Sequence, residues 1–170
     1  MRVKYFTKEF NEKLLSEAEL SPRLRYHYNL HNSYNDPVQR LAIGIQYGSY
    51  IPPHYHALSS QWEFFHIIKG CVLLIIFSHE GIVEDIIELG EESNTYAAEI
   101  PPMTCHTLVC KSSDAIIYEW KQGPFDSKNA KIIPHWAPPE SYEHVSREYI
   151  IKYLLHLSIG EHINVFKLKH

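Results

Sequence analysis

The sequence predicts a single, mainly β domain, built as an antiparallel sandwich or barrel, with a helix near each end of the chain. With 170 residues, the chain is long enough for one domain with a substantial core. Short apolar segments recur between turn residues from position 25 to position 121, as in antiparallel all-β folds. Twelve tyrosines and ten prolines also favour strands and turns over long helices.

The two predicted helices lie at the ends of the chain. Residues 7–20, TKEFNEKLLSEAEL, place apolar residues on one helical face, with Thr7 as the cap and Ser21-Pro22 as the end. Residues 142–157, YEHVSREYIIKYLLHL, also have helical spacing, which predicts an amphipathic helix laid on the barrel or on a second subunit. Residues 163–169 are interpreted as a final strand.

Eight strands are predicted between the helices, because apolar residues and turn residues alternate there at short intervals. They cover residues 25–30, 39–47, 62–69, 71–78, 82–89, 95–100, 105–111 and 114–121. The sequence contains no internal repeat and no low-complexity linker, so residues 1–170 are predicted to form one domain.

Composition narrows the classes of partner. The formal charge of −4, with acids and bases interspersed, lacks the basic surface that nucleic acid requires. The longest apolar run, CVLLIIF at 71–77, is too short to span a bilayer. The N-terminal residues lack the apolar run of a signal peptide, and three cysteines indicate reduced thiols. We therefore expect a cytoplasmic protein that binds a small molecule rather than nucleic acid or a membrane.

A histidine pair in GSYIPPHYHALSSQWEFFHIIKG, residues 48–70, is the first candidate for chemistry. His54 and His56 have the same parity, so on a strand both rings point to one face and can bind one divalent ion. Glu63 begins the next strand segment, and His106 follows a second proline turn, EIPPMTCH. In a chain with twelve histidines the pair alone is a weak signal, and a surface pair is the commoner interpretation.

The order of these residues resembles the motifs of the cupin superfamily. Gly48, His54, His56, Glu63 and Gly70 are similar to the first cupin motif, and the segment from Gly90 to His106 is a looser match to the second. A closer resemblance is to the WbuC family of cupin-fold metalloproteins. It rests on SPRLRYHYNLHNSYNDPVQRL, HYHALSSQWEFFHIIKG, EIPPMTCHTLV and EWKQGPFD, and covers roughly residues 21–139.

The resemblance implies a cupin double-stranded β-helix, a jelly-roll barrel, over residues 21–139. Residues 7–20 would be its N-terminal helix and residues 140–170 a C-terminal extension. It also implies one divalent metal ion bound by His54, His56, Glu63 and His106. Three imidazoles and a carboxylate suit zinc, iron, manganese or nickel, and leave open positions on an octahedral ion but not on a tetrahedral one.

Two positions depart from the cupin pattern. Met103 stands where the motif usually has glycine, and a positive φ there would cost about 1–2 kcal/mol. We therefore expect the turn before His106 to be rebuilt. Cys110 stands where many cupins have asparagine, and it has the parity of His106. We expect Cys110 to be a small buried residue facing the interior, and Cys105 to face the opposite surface of the sheet.

A polar segment upstream supplies candidate substrate-binding residues, namely Arg25, Asn29, His31 and Arg40. Arginine presents a planar fork suited to carboxylate or phosphate, so these residues could orient an anionic or sugar-like substrate. Salt bridges between strands or on the surface are an equally good interpretation. His27, Tyr28 and His66 are assigned structural roles, and Glu119 is a candidate partner for a ligand histidine.

Three functions remain open from the sequence. The WbuC resemblance favours a metal-dependent isomerase or epimerase acting on a sugar or sugar nucleotide in bacterial surface-polysaccharide biosynthesis. The ligand set also resembles that of iron-dependent dioxygenases of the cupin class. The third hypothesis is a non-catalytic module that binds a sugar or anion and uses the metal as a staple. A homodimer is expected, because sheet edges and an amphipathic C-terminal helix need cover.

Overall fold

The computed structural model describes residues 3–126, 131–141 and 145–163. Its elements are α1 (Lys8–Leu20), β1 (Arg25–Asn29), β2 (Val38–Gln46), β3 (Glu63–Lys69), β4 (Cys71–Phe77), β5 (Val83–Gly90), β6 (Ala97–Ile100), β7 (Cys105–Cys110), β8 (Asp114–Gln122) and α2 (Arg147–Leu155). All eight predicted strands are present, and most of their bounds agree within a residue. Residues 142–144 of the predicted C-terminal helix and residues 164–169 of the predicted final strand lie outside the described residues.

The described strands form two antiparallel sheets rather than one closed barrel. One sheet has the order β1-β2-β8-β3-β6, and the other has the order β5-β4-β7. The prediction of a mainly β, jelly-roll fold with a helix near each end is thus confirmed, with its strands divided between two sheets.

The main core fills the space between the two sheets. On β8 the odd-numbered residues Ala115 and Ile117 point into this core, while Ile116 points to the opposite face. The facing sheet contributes buried residues such as Leu74 and Leu108. This alternation continues along β8 and places Glu119 and Lys121 on the inner side, towards the cavity described below.

Helix α1 packs on the outer face of the five-stranded sheet. The hydroxyl of Thr7 accepts a hydrogen bond from the backbone N–H of Phe10 at 3.3 Å, which caps the helix as predicted. Leu14 packs with Ala42 and Ile116, residues of β2 and β8 that point away from the main core. At Gly44 the two backbones are so close that an added Cβ would lie 2.4 Å from the carbonyl oxygen of Leu14. Glycine therefore permits this contact.

The C-terminal extension packs on the outer face of the three-stranded sheet. Ile151 and Leu154 of α2 join a buried cluster with Ile75 of β4 and Val109 of β7. Of the two alternatives for this helix, the structure shows packing on its own chain. Homodimerisation stays a prediction.

None of the helices formed by the described residues is long and apolar enough to cross a membrane.

Candidate metal centre

Two of the four predicted ligands lie on strands, one in each sheet, and the other two lie in the segment between β2 and β3. Glu63 is the first residue of β3 in the five-stranded sheet, and His106 is the second residue of β7 in the three-stranded sheet. His54 is held beside His106 by two backbone hydrogen bonds, in which each N–H donates to the other carbonyl at 3.0 and 2.9 Å. His56 follows two residues later. The fold therefore brings together residues from three separate parts of the chain.

Their side chains converge on one point. Each residue offers one ligand atom, and these four atoms all lie within 4.8 Å of one another. Nε2 of His56 is 2.9 Å from Oε1 of Glu63, and Nε2 of His106 is 3.1 Å from Oε2. His56, Glu63 and His106 are only 5%, 3% and 1% exposed. This quartet could bind a metal ion.

Backbone carbonyls fix the orientation of two rings. Nδ1 of His54 lies 2.9 Å from the carbonyl oxygen of Pro52, and Nδ1 of His106 lies 3.0 Å from that of Thr104. A carbonyl oxygen only accepts, so Nδ1 carries the hydrogen and, in the neutral ring, Nε2 presents a lone pair. Burial lowers the pKa of His54 well below its ordinary value, and His106 lowers it further, so His54 is neutral. Such Nδ1 contacts are typical of metal-binding histidines.

The donor set fits a divalent cation. Neither Nε2 of His106 nor Oε2 of Glu63 makes a hydrogen bond of good geometry with a described residue, although both atoms are buried. With Nδ1 protonated, the two atoms are both acceptors, and two buried acceptors 3.1 Å apart call for a shared cation. Burial opposes ionisation of Glu63, whereas the positive charge of Lys121 favours the carboxylate and lowers its pKa.

A buried ion pair lies beside the quartet. Nζ of Lys121 is 2.7 Å from Oε1 of Glu119 and 3.5 Å from Oε1 of Glu63. Burial lowers the pKa of Lys121, but Glu119 and Glu63 outweigh this and raise it above its ordinary value. Burial also raises the pKa of the Glu119 carboxyl, which Lys121 only partly offsets. Lys121 is therefore a fixed cation next to the candidate metal ligands.

The quartet opens into a cavity of about 260 Å³ between the sheets. Its described lining has apolar residues, histidines and charged residues: Arg23, Arg25, His27, Ile43, Ile45, Ile51, His54, His56, Glu63, Phe65, His106, Leu108, Ile117, Glu119, Lys121, Phe125 and Lys131. The deeply buried quartet forms its inner end, and exposed residues such as Lys131 form its rim. A small molecule that enters the cavity thus reaches the candidate ligands.

Solved structures with similar folds identify the architecture. Salicylate 1,2-dioxygenase from Pseudoaminobacter salicylatoxidans, solved with gentisate, superposes with a TM-score of 0.55 at 10% identity, over 75% of this chain and 35% of that chain. The chain has a cupin fold. Two further cupins are similar at lower TM-scores. KdgF from Halomonas sp. gives 0.48 at 16% identity, over 64% of this chain and 86% of that one. Oxalate decarboxylase from Lactobacillus farciminis gives 0.45 at 15% identity, over 57% and 26%.

The chain spans about a third of the dioxygenase chain and about a quarter of the decarboxylase chain. A family described as a domain of unknown function (DUF6016) matches residues 6–89. The matched region includes three members of the quartet and ends before His106. No curated protein sequence matches the chain.

The predicted substrate-binding residues divide into two groups. Arg25 lines the cavity, but its guanidinium donates to Ser49 Oγ, to the Tyr50 carbonyl and, at 2.9 Å, to Glu140. The other three are not part of the described lining. Asn29 donates to the hydroxyl of Tyr34, Nδ1 of His31 lies 3.0 Å from the carbonyl oxygen of Arg40, and the Arg40 guanidinium pairs with Asp36 at 3.5 Å.

Three further residues line the cavity, of which Lys121 and Lys131 were not predicted from the sequence and His27 was assigned a structural role. The signal for Lys121 was strand parity. In DAIIYEWKQ, Glu119 and Lys121 have the same parity as the inward-facing Ala115 and Ile117. Glu119 was expected to support a ligand histidine, but it pairs with Lys121 at 2.7 Å. No comparable pattern surrounds Lys131.

The two departures from the cupin motif have different outcomes. Met103 keeps a positive φ of 64°, so the expectation of a rebuilt turn was wrong. The turn retains its left-handed residue, and His106 reaches the quartet. Cys110 is 1% exposed in the core between the sheets, whereas Cys105 lies in the cluster under the C-terminal extension. Both positions agree with the parity argument.

A second group of potential ligand atoms, on Cys71, Glu88 and Glu92, is a weaker candidate. Glu88 already pairs with Lys111 at 2.7 Å, and Cys71 donates its thiol hydrogen to Glu88 at 3.3 Å. Burial and Glu88 raise the pKa of this thiol to about 11. The thiol therefore stays protonated, which disfavours metal binding.

Proposed function

We propose that the protein is a divalent-metal-dependent enzyme whose small, anionic substrate reacts at the quartet of His54, His56, Glu63 and His106. The observation that carries the proposal is the position of the quartet, whose buried atoms converge within 4.8 Å at the inner end of a cavity. A metal ion bound there would supply Lewis acidity to a substrate carbonyl or hydroxyl. A merely structural ion would not need such access.

Charge in the cavity supports an anionic substrate. Arg23, Arg25 and Lys131 line the cavity together, and Glu140 pairs with the first two. Lys121 adds a further cation at the inner end, where it balances Glu119 or Glu63. A bound divalent ion would add two positive charges, so the cavity as a whole would attract anions.

Proton transfer is the chemistry that the neighbouring residues support best. Glu119 lines the cavity and is held by Lys121 at 2.7 Å, and burial raises the pKa of its carboxyl. Such a carboxyl can hold or move a proton on a substrate held at the quartet, as isomerisation or epimerisation requires, while Lys121 keeps its charge. We therefore retain the isomerase or epimerase hypothesis. For a sugar nucleotide, a 260 Å³ cavity would admit the sugar alone. A role in surface-polysaccharide biosynthesis rests on the WbuC resemblance.

An iron-dependent dioxygenase is the second candidate, and the apolar wall favours it. Ile43, Ile45, Phe65 and Leu108 all line the cavity, and such a wall would exclude water from a reactive centre. The similar fold of salicylate 1,2-dioxygenase is compatible with this chemistry. The third candidate is a non-catalytic module that binds a sugar or anion and in which the metal ion only stabilises the fold.

Elemental analysis of protein purified without added metal tests the metal site. We expect about one divalent ion per chain, because four ligands of suitable type converge. The variant His54→Ala/His56→Ala should lose this ion. His66→Ala, on β3 but outside the quartet, is the matched control and should retain it. Equal metal content in all three proteins would refute the proposed site.

The reaction class needs a separate measurement on the metal-containing protein. Small carbonyl-containing anions incubated in D2O would take up deuterium if the protein catalyses proton transfer. Oxygen consumption with an iron-loaded protein would instead indicate a dioxygenase. If neither occurs with any compound that binds, the non-catalytic module becomes the better hypothesis.

A further inference from the structure

We infer that the substrate is a small carboxylate with an apolar body, whose carboxylate binds Lys131 at the rim of the cavity. The inference deepens the proposed function and rests on it, because it takes the quartet as the place of reaction. It differs from the sugar hypothesis in the kind of molecule that the cavity would select.

The wall of the cavity is the first evidence. Seven aliphatic or aromatic residues belong to its described lining, five of them on strands of the two sheets: Ile43, Ile45, Ile51, Phe65, Leu108, Ile117 and Phe125. The described lining contains no serine, threonine, asparagine, glutamine or tyrosine. Where a sugar lies against these apolar side chains, its hydroxyl groups would have no hydrogen-bonding partner, and each unpaired group would weaken binding. An apolar body loses nothing there and gains from burial.

The rim supplies the second piece of evidence, an excess of positive charge. Glu140 binds Arg23 through two hydrogen bonds of 2.8 and 3.1 Å and binds Arg25 through one of 2.9 Å. Lys131 lies in the same lining and makes no ion pair with a described residue. Among the described residues, one carboxylate thus pairs with two of these three cations. A second carboxylate, brought by the ligand, would complement this charge.

Electrostatics at Lys131 agree with this assignment. Partial enclosure lowers the pKa of Lys131, and the charges of Arg25 and Arg23 lower it further. Arg25 cannot relieve this repulsion by moving away, because its side chain is 2% exposed and anchored by Ser49 and Tyr50. An anion at the rim would remove the repulsion.

The size of the cavity is the third constraint. Its volume of about 260 Å³ lies just below the range of roughly 300–1,000 Å³ that is typical for drug-sized ligands. The cavity therefore suits a single small ring or a short branched chain between the rim and the quartet. A nucleotide or an oligosaccharide would extend outside it.

Calorimetric binding to the purified, metal-containing protein tests the inference without an activity assay. Three probes separate its parts: benzoate has both features, benzamide keeps the apolar body without charge, and gluconate keeps the charge without the apolar body. We expect benzoate to bind at least about tenfold more tightly than either comparison compound. It alone would place an apolar ring against the apolar wall and a carboxylate beside Lys131 at the rim.

Lys131→Met should weaken benzoate binding by about tenfold, since it removes the rim cation and keeps an unbranched side chain. Lys8→Met is the matched control. The Lys8 side chain is 86% exposed on α1 and, among the described residues, pairs with Glu12, so its replacement should leave benzoate binding unchanged. Circular dichroism would show that both variants are folded.

Each outcome bears on a different statement. If gluconate binds as tightly as benzoate, the inference that the substrate has an apolar body is wrong. If benzamide binds as tightly as benzoate, the inference that the substrate has a carboxylate is wrong. Unchanged benzoate affinity in Lys131→Met would overturn the assignment of Lys131. Failure of benzoate to bind a protein that contains its metal would refute the inference and leave the metal site standing. Absence of metal from the wild-type protein would instead contradict the proposed function.

Discussion

The ion pair between Arg25 and Glu140 should contribute a measurable part of the free energy of unfolding. It joins β1 to the C-terminal extension, and the Arg25 side chain is 2% exposed whereas that of Glu140 is 33% exposed. Glu140→Gln leaves Arg25 with its hydrogen bonds to Ser49 and Tyr50 but without an anion. Removing one partner of a fully buried pair costs about 3–5 kcal/mol. Because Glu140 is partly exposed and glutamine still accepts a hydrogen bond, we expect Glu140→Gln to lower the free energy of unfolding by about 2 kcal/mol.

Urea unfolding at neutral pH measures this cost, with Arg23→Gln as the control. Arg23 also binds Glu140, but its side chain is 53% exposed, so its loss should cost less than about 1 kcal/mol. Equal destabilisation by the two variants would refute the reasoning, because it would mean that the burial of Arg25 has no energetic consequence.

The same pair predicts a dependence on pH. Partial burial opposes ionisation of Glu140, but Arg23 and Arg25 outweigh it and lower the pKa of this carboxyl below 4.5. The folded state therefore binds a proton less readily than the unfolded chain. The stability from Glu140 is present above about pH 4.5 and is lost as the pH falls through the folded-state pKa. The difference between wild type and Glu140→Gln should narrow at pH 3–4, and a constant difference would contradict this.

Three further predictions follow from close packing and burial. Gly44→Ala should destabilise the protein by about 1–3 kcal/mol in urea unfolding, because the new Cβ would meet the backbone of Leu14 at 2.4 Å; an unchanged midpoint would contradict the observed approach of α1. Met103→Gly should raise stability by up to about 1 kcal/mol, because it relieves a φ of 64° at a half-exposed side chain; destabilisation would mean that packing of the methionine matters more. Burial raises the pKa of Cys71 to about 11 and those of Cys105 and Cys110 to about 12, so a disulfide reagent at pH 8 should modify all three only after denaturation. Rapid reaction in the native protein would show that a thiol is accessible.

The strands could be predicted from the sequence because each buried face has a regular chemical pattern. The alternation of Ala115 and Ile117 with outward-facing neighbours was sufficient to place β8. Helix α1 was equally clear, since Thr7 and Ser21 mark its two ends. The assignment of strands to two sheets was less accessible, because it depends on hydrogen bonds between residues far apart in sequence.

The metal ligands could be predicted only from the combined motif. The spacing of His54, His56 and Glu63 is local, but the approach of His106 depends on its backbone pairing with His54. The role of Arg25 was harder to predict. A polar strand residue can face a ligand or a distant carboxylate, and the contact with Glu140 arises from folding of the C-terminal extension. Met103 was misjudged because the fold imposes a positive φ despite its local cost.

The division of the quartet between the two sheets has a thermodynamic consequence. Glu63 belongs to the five-stranded sheet and His106 to the three-stranded sheet, so an ion bound by both joins the two layers that enclose the main core. The unfolded chain has no such preformed site, and the ion would therefore bind the folded state preferentially. By mass action, an ion at a hundred times its dissociation constant would add about 2.7 kcal/mol to the free energy of unfolding. The melting temperature of this protein should therefore follow the concentration of free metal, and a melting curve becomes a measure of metal affinity.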